Sequence, residues 1–193
     1  MKFRYELINF LISKYGYKSY LEIGIDNGVN FAEIKIDKKD GVDPAGKCNY
    51  IMTSDDFFKN ISAEQTYDIV FIDGLHLKEQ VLKDVYNSLN HLSDNGTIVM
   101  HDCNPIEKYR ASPEIHDGKW NGTVWEAFVE LRMTRSDISM IVLDMDFGCG
   151  IIRKGNQKLI PTQILSYSLL EKNRKLFLNL TSVKEFLSNG AKL

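Results

Sequence analysis

The run Tyr67-Asp-Ile-Val-Phe-Ile-Asp-Gly-Leu-His76 decides how the rest of the chain is read. Four consecutive apolar side chains, Ile69 to Ile72, stopped by Asp73-Gly74, have the pattern of a strand covered on both faces, as in the middle of a parallel sheet. A parallel neighbour requires a crossover of a dozen or more residues, usually a helix. One follows at once: Val81, Leu82, Val85, Leu89 and Leu92 fall on one stripe at helical spacing, closed by Asp94-Asn95-Gly96. Thr97 to Met100 then reads as the next buried strand.

The same alternation extends outward in both directions. Upstream, residues 3–15 place Phe3, Leu7, Phe10, Leu11 and Tyr15 at helical spacing before Gly16, and Ser19 to Ile23 reads as a strand. Gly28 opens a short helix through Ile34, Gly41-Val42-Asp43 closes a second strand, and Thr53 or Ser54 caps a helix containing Phe57 and Phe58. Downstream, residues 102–123 have no periodicity, and a loop of that length in a compact domain is expected to be a lid. Thr123-Val-Trp-Glu126 is a capping-box pattern opening a helix through about Met133. Ile138–Leu143 and Cys149–Arg153, joined around Asp146-Phe-Gly148, predict an antiparallel hairpin. From Leu159 onward the leucines at 165, 169, 170, 176, 178 and 180 suggest helices broken at Asn173, with no visible chemistry. Trp120 and Trp125 read as packing residues, and His116 and Asp117 have no pattern beyond their place in the loop. The expected fold is α/β, a doubly wound, Rossmann-like, mostly parallel seven-stranded sheet with an antiparallel terminal hairpin and C-terminal helices. The 193 residues are expected to form one domain, with an N-terminal helix over 1–16, a core over 17–155 and a helical extension over 156–193.

Charge narrows the function. With 24 Lys+Arg against 26 Asp+Glu, the net charge is −2, which argues against a nucleic-acid partner. The balance is uneven: residues 1–156 hold 18 basic and 24 acidic side chains, residues 157–193 six and two. The basic tail is expected to cover the core or to form a homo-oligomer through its helices. Cys48, Cys103 and Cys149 are odd in number and widely spaced, which opposes a disulfide framework or a thiolate zinc site and favours a reducing cytoplasm. The uncharged stretch Leu7–Ile12 is too short for a signal segment, and no run approaches the roughly 18 apolar residues of a membrane span.

In a doubly wound sheet, ligands gather beyond the carboxyl ends of the strands, here just after Ile23, Val42, Ile72 and Met100. After the first strand comes Glu22-Ile-Gly24-Ile-Asp-Asn-Gly28, a glycine turn opening a helix. Such a turn lets a ligand approach the backbone and aims N–H groups at its anionic part. The spacing lacks the close second glycine of a dinucleotide fingerprint, which opposes an NAD-dependent oxidoreductase. Asp43 stands nineteen positions after Gly24, near the offset at which an acid binds ribose hydroxyls. The two together describe a nucleoside pocket without a diphosphate; the plainer alternative is a turn and a capping Asp. Asp73 with His76, and His101 with Asp102, follow adjacent central strands and should meet at one rim. Two carboxylates with an imidazole suit a hard divalent ion such as Mg²⁺, and the alternative is a helix-capping Asp73 beside a solvated His76.

These motifs resemble those of the class I S-adenosylmethionine-dependent methyltransferases, from about Tyr20 to Lys154. Tyr20-Leu-Glu22-Ile-Gly24-Ile-Asp-Asn-Gly28 is similar to that family's first motif, Gly41-Val-Asp43-Pro to its ribose-binding acid, and Met52-Thr-Ser54-Asp55-Asp to its adenine-proximal turn. The resemblance implies that Glu22, the Gly24–Gly28 backbone and Asn30 serve the methionine end of the cofactor, Asp43 the ribose, and Ser54 with Asp55, in preference to Asp56, the adenine. Phe71-Ile-Asp73-Gly-Leu-His76 and His101-Asp102-Cys-Asn104 resemble the divalent-metal-dependent O-methyltransferases acting on catechols and on macrolide sugars. That pattern implies Asp73 and Asp102 as ligands of a metal such as Mg²⁺ and His76 as the catalytic base. It departs at Cys103, where the catechol type has an Asn ligand, so that His101 or Asn104 is expected to substitute. Trp120-Asn-Gly-Thr-Val-Trp125 is similar to segments of enzymes that tailor glycans and natural products, implying a sugar or small natural-product hydroxyl as acceptor. A noncatalytic binding or assembly protein on the same fold is the alternative.

Overall fold

The structure, a computed structural model, describes residues 1–115 and 120–191; His116 and Asp117 lie outside them. In chain order the elements are α1 (Arg4–Tyr15), β1 (Ser19–Ile23), α2 (Val29–Glu33), β2 (Lys38–Val42), α3 (Ser54–Asn60), β3 (Tyr67–Ile72), α4 (Lys78–Asn90) and β4 (Leu92–Met100). A 3-10 turn over Lys108–Ala111 leads to α5 (Val124–Thr134), β5 (Ile138–Leu143), β6 (Cys149–Lys154), α6 (Tyr167–Leu178), β7 (Leu180–Thr181) and α7 (Val183–Ser188). The seven strands form one sheet in the order β2-β1-β3-β4-β6-β5-β7. β2, β1, β3 and β4 run parallel, β6 is antiparallel to both β4 and β5, and β7 is parallel to β5.

β3 behaves as its sequence requires. Ile69 and Phe71 face a core cluster with Leu7, Leu11, Tyr20, Val99 and Phe186, while Val70 and Ile72 face the opposite cluster with Leu21, Val85, Ile98 and Trp125. Alternate side chains thus feed two cores, one on each face, which is why the run is continuously apolar. The strand order turns back between β1 and β3, and that switch point opens the crevice in which such sheets bind ligands.

Several expectations need correction. The helix after His76 stops at Asn90, and Leu92 belongs to β4, opposite Tyr67 across an irregular step of the ladder. Leu92 is buried on the same core as the helical stripe, so periodicity could not separate the two. Thr123 is the N-cap residue of α5 but makes no side-chain cap there. Its hydroxyl instead accepts the Lys78 N–H at 2.7 Å, serving the first turn of the neighbouring α4. The tail is not helical from Leu159: residues 157–166, which include Pro161, have no regular structure. Leu180 lies in a strand that extends the sheet, and the non-helical Asn173 does mark a kink in α6. The tail also packs onto the fold, with Leu170, Phe177, Leu178 and Phe186 buried.

Candidate active site

A cleft of about 860 Å³ opens at the carboxyl ends of β1, β2, β3 and β4. Gly24, Asp43, Ser54, Asp55, Asp73, His76, His101 and Asp102 line it, together with Arg4, Gln80, Asp84, Trp120 and Phe147. Glu22, Gly28 and Asn30 do not. Glu22 and Asn30 are buried, Glu22 accepting from the Tyr20 hydroxyl and, at 3.0 Å, from the Asn30 amide. Burial pushes the Glu22 carboxyl up to about 7 against those two hydrogen bonds.

Gly24 lets the strand ends close up. Its φ is +88°, and a Cβ there would lie 2.2 Å from the carbonyl oxygen of Asp73, so no side chain fits between the β1 turn and the β3 turn. Gly28, with φ +79°, is the N-cap of α2. Asp43 ties the two cofactor-side loops together: Oδ1 accepts from the Ala45 and Gly46 N–H groups at 2.8 and 2.7 Å, Oδ2 from Ile25 and Asp26 at 2.9 and 3.0 Å. Partial burial raises its proton affinity, but these amide donors outweigh it and hold the carboxyl below its usual range.

The acids and imidazoles meet as the strand pattern requires. His101 Nδ1 lies 3.1 Å from both Asp73 Oδ1 and Asp102 Oδ2, and His101 Nε2 faces Asp146 Oδ1 at 3.6 Å and Arg4 Nη1 at 3.4 Å. His76 stands on the other side of the carboxylates, Nε2 at 3.4 Å from Asp73 Oδ1 and Nδ1 at 3.4 Å from Asp102 Oδ2. Arg4 Nε is 3.5 Å from Asp73 Oδ2. Asp102 itself has φ +60°, an uncommon conformation for a residue with a side chain. It is fixed by His101 N–H to the Ile72 carbonyl and Cys103 N–H to the Gly148 carbonyl, both 3.0 Å.

Burial disfavours charge on all three of Asp73, His76 and His101, and mutual attraction overrides it. Asp73 is held well below the usual carboxylate range by the charge and hydrogen bond of His101, by His76 and by Arg4. His101 is raised well above an ordinary imidazole by Asp73 and Asp102, and His76 is raised by its bond to Asp73 and by both carboxylate charges. Among the described residues, Asp73, His76 and Asp102 form a group whose ligand atoms lie within 4.8 Å of one another. His101, expected as a ligand, also lines the cleft, with both ring nitrogens facing charged neighbours. Cys103 is turned into the core, and the Asn104 amide is engaged by Arg174 at 2.6 Å and Asp144 at 3.2 Å.

The stretch expected as a lid is fastened at both ends. Cys103, Asn104 and Pro105 are buried, and at the other end Trp120 lines the cleft while residues 121–123 are buried behind it. Trp120 stacks on His76, ring centroids 5.2 Å apart, and its carbonyl lies 3.1 Å from His76 Nδ1. The Asn121 amide donates to Asp102 Oδ1, and Thr123 N–H donates to the His76 carbonyl at 2.9 Å. Trp125 is core packing, as expected; Trp120 is not.

At the far end of the cleft, the Thr53 hydroxyl caps α3 through Asp56 N–H. Gln80 of α4 reaches across to this turn, its Nε2 lying 2.9 Å from Asp55 Oδ1, 3.2 Å from Ser54 Oγ and 3.1 Å from Asp84 Oδ1. Asp55 is half exposed and its Oδ2 pairs with Lys83 at 3.1 Å.

Sequence reasoning missed Arg4, Asn121, Gln80, Asp84 and Asp146 as parts of this neighbourhood. Arg4 and Asp146 meet across 142 positions of sequence, which no local pattern encodes. Asp84 did carry a signal, an acid beside Val81 and Val85 on the buried face of α4.

Residues 37–103, spanning β2 to β4, match a family model described as a methyltransferase domain. The fold is similar to that of a Podospora anserina methyltransferase solved with SAH, at 18% identity and a TM-score of 0.58 over 81% of this chain and 80% of that one. It is also similar to an O-methyltransferase of Bacillus cereus solved in complex with SAH, at 13% identity and a TM-score of 0.56 over 77% and 78%. A third likeness is to MycE of the mycinamycin biosynthetic pathway, solved with Mg, SAH and mycinamycin VI, at 14% identity and a TM-score of 0.50 over 82% of this chain and 50% of that one. A search of curated proteins gives no match. The matched segment is that of a methyltransferase domain, and the fold is one that solved methyltransferases share.

Proposed function

We propose that this protein binds S-adenosylmethionine in the cleft and transfers its methyl group to a hydroxyl of a small acceptor, a sugar or a natural product of similar size. One observation carries the reading: Asp73, His76 and Asp102 converge on the rim of a nucleoside-sized cleft, where a reacting hydroxyl needs both positioning and a base. The cofactor lies with its methionine end at the Gly24–Gly28 turn, with Asn30 beneath, its ribose beside Asp43, and its purine by the Ser54–Asp55 turn. The neighbours solved with SAH, and the one solved with Mg, SAH and mycinamycin VI, support this arrangement by analogy of fold.

Methyl transfer from a sulfonium is an in-line displacement with a good leaving group, so the protein chiefly aligns the acceptor and makes it nucleophilic. The acceptor oxygen forms a bond to the methyl carbon, the S–CH₃ bond breaks toward sulfur, and the hydroxyl proton passes to His76. With Nδ1–H donated to the Trp120 carbonyl, Nε2 is the atom left to take that proton, and the Asp73 carboxylate 3.4 Å away steadies the imidazolium that forms. Trp120 stacking holds the ring in this orientation, and Leu75, Trp120 and Phe147 offer apolar surface to the acceptor ring. Asp73 and Asp102, with the His76 ring adjacent, fit a divalent cation in charge and donor type. Such an ion would lower the pKa of a bound hydroxyl. His101 and Asn121 position the two carboxylates.

No helix among the described residues is long and apolar enough to cross a membrane. The free cysteines Cys48, Cys103 and Cys149 favour a reducing cytoplasm as the place of action. The test is transfer of an isotope-labelled methyl group from S-adenosylmethionine to a panel of glycosides and phenols, with product analysis by NMR. An O–CH₃ product from wild type, lost in His76→Ala, is expected; an N- or C-methyl product contradicts the proposal.

A further inference from the structure

We infer that Asp84, on the second turn of α4, reads the exocyclic amine of the purine held in this cleft and thereby selects a 6-amino over a 6-oxo base. The inference rests on the cofactor reading above and goes beyond it, because the acid implied there by resemblance is Asp55.

Geometry separates the two acids. Asp55 is half exposed, and each of its oxygens already has a partner, Oδ1 the Gln80 amide at 2.9 Å and Oδ2 the Lys83 ammonium at 3.1 Å. Asp84 is 1% exposed, yet it lines the cleft. Its donors are the Ser54 hydroxyl and Gln80 Nε2, the latter 3.1 Å from Oδ1 and shared with Ser54 and Asp55. Among the described residues no salt bridge reaches it, and the nearby Lys83 is paired with Asp55. A carboxylate in this position is costly, and burial pushes it up to about 6 despite Ser54 and Gln80. An apolar residue would complete the buried stripe of Val81 and Val85 with no such cost.

A primary amine of an aromatic base supplies what the carboxylate lacks, an N–H donor from inside the cleft. A 6-oxo group would set an acceptor against an acceptor. Sites that rely on such a bond reject the analogue lacking it, because the protein group is left unpaired. Gln80 acts as the positioning residue, holding Asp84, Ser54 and Asp55 in one array. Asp43 does not compete for the role, since its two oxygens accept four backbone N–H groups.

The test is calorimetry on the full chain with S-adenosylhomocysteine and with its deaminated, 6-oxo counterpart. Wild type is expected to favour the amine by about tenfold or more. Asp84→Asn should reduce that preference to about threefold or less, because an amide can turn its own NH₂ toward a 6-oxo group. Asp55→Asn should keep the preference. A folded Asp84→Asn that retains the full preference overturns the inference. So does loss of preference in Asp55→Asn, an outcome readable even if Asp84→Asn does not fold. Wild type that binds both ligands equally overturns this inference alone, whereas wild type that binds neither overturns the cofactor reading and this inference with it.

Discussion

Gly122 presses against His76 so closely that a Cβ on it would lie 2.0 Å from the His76 carbonyl oxygen. The contact, together with Thr123 N–H bonded to the same carbonyl, locks the Trp120–Thr123 segment onto the turn that carries the proposed base. Gly122 has φ +61°, so any side chain is opposed by both backbone strain and a backbone clash. Gly122→Ala is expected to cost on the order of 2–4 kcal/mol in chemical denaturation and to abolish turnover in whatever fraction stays folded. Unchanged turnover with a stability loss below about 1 kcal/mol would show that the segment is not fixed to His76.

His76 itself should separate chemistry from binding. Replacement by Ala removes a general base, which typically costs about 10²–10⁴ in turnover, while S-adenosylmethionine affinity stays within about twofold of wild type. Rapid-quench methyl transfer and calorimetry read the two effects independently. A fall in affinity with unaltered turnover would move His76 from the chemistry to the cofactor.

Asp43 should show a combined effect. Its four amide bonds join residues 25–26 to residues 45–46, and Asn can accept at only one atom. Asp43→Asn is expected to weaken cofactor binding by about tenfold and to lower stability by on the order of 1–2 kcal/mol at pH 7. The pH dependence follows from a carboxyl held below its unfolded value. Its contribution is present above the unfolded pKa, near 4, and is lost as pH falls through the lower folded pKa. The stability difference between wild type and variant should therefore shrink in acid; a constant gap from pH 7 to pH 3 would contradict the role given to those bonds.

Asp84 predicts the opposite sign. Its folded pKa, about 6, is above the unfolded value near 4, so stability is lost as pH rises between the two and the full cost remains above the higher. Asp84→Asn, still able to accept from Gln80, is expected to raise Tm by a few degrees at pH 8 and to leave it nearly unchanged at pH 4. Differential scanning calorimetry at both pH values decides this. A variant destabilised at pH 8 would mean that the charged form is favoured by the fold itself.

Much of this architecture was legible in sequence because burial on two faces leaves a continuous apolar strand, and acids just beyond such strands fall at one rim of a parallel sheet. Asp73, His76, His101 and Asp102 were found in this way, and they do gather at one rim. Their division of labour was not legible. That both ring nitrogens of His101 face charged groups depends on Arg4 and Asp146, brought in from α1 and the β5–β6 turn by tertiary packing. Likewise, Thr123 fits a capping box, but the adjacent Lys78 N–H takes its hydroxyl, a competition set by how α4 and α5 pack. Leu92 and Leu180 were read as helical because an apolar side chain meets the same core whether it comes from a helix or from a strand.

The central claim, that the cleft at the β1–β3 switch point is an S-adenosylmethionine site, is tested most directly by calorimetric titration of the full chain with S-adenosylhomocysteine and, in parallel, with NAD. Saturable one-to-one binding of S-adenosylhomocysteine, weakened in Asp43→Asn, with no heat from NAD, is the expected result. Binding of NAD in place of S-adenosylhomocysteine would contradict it.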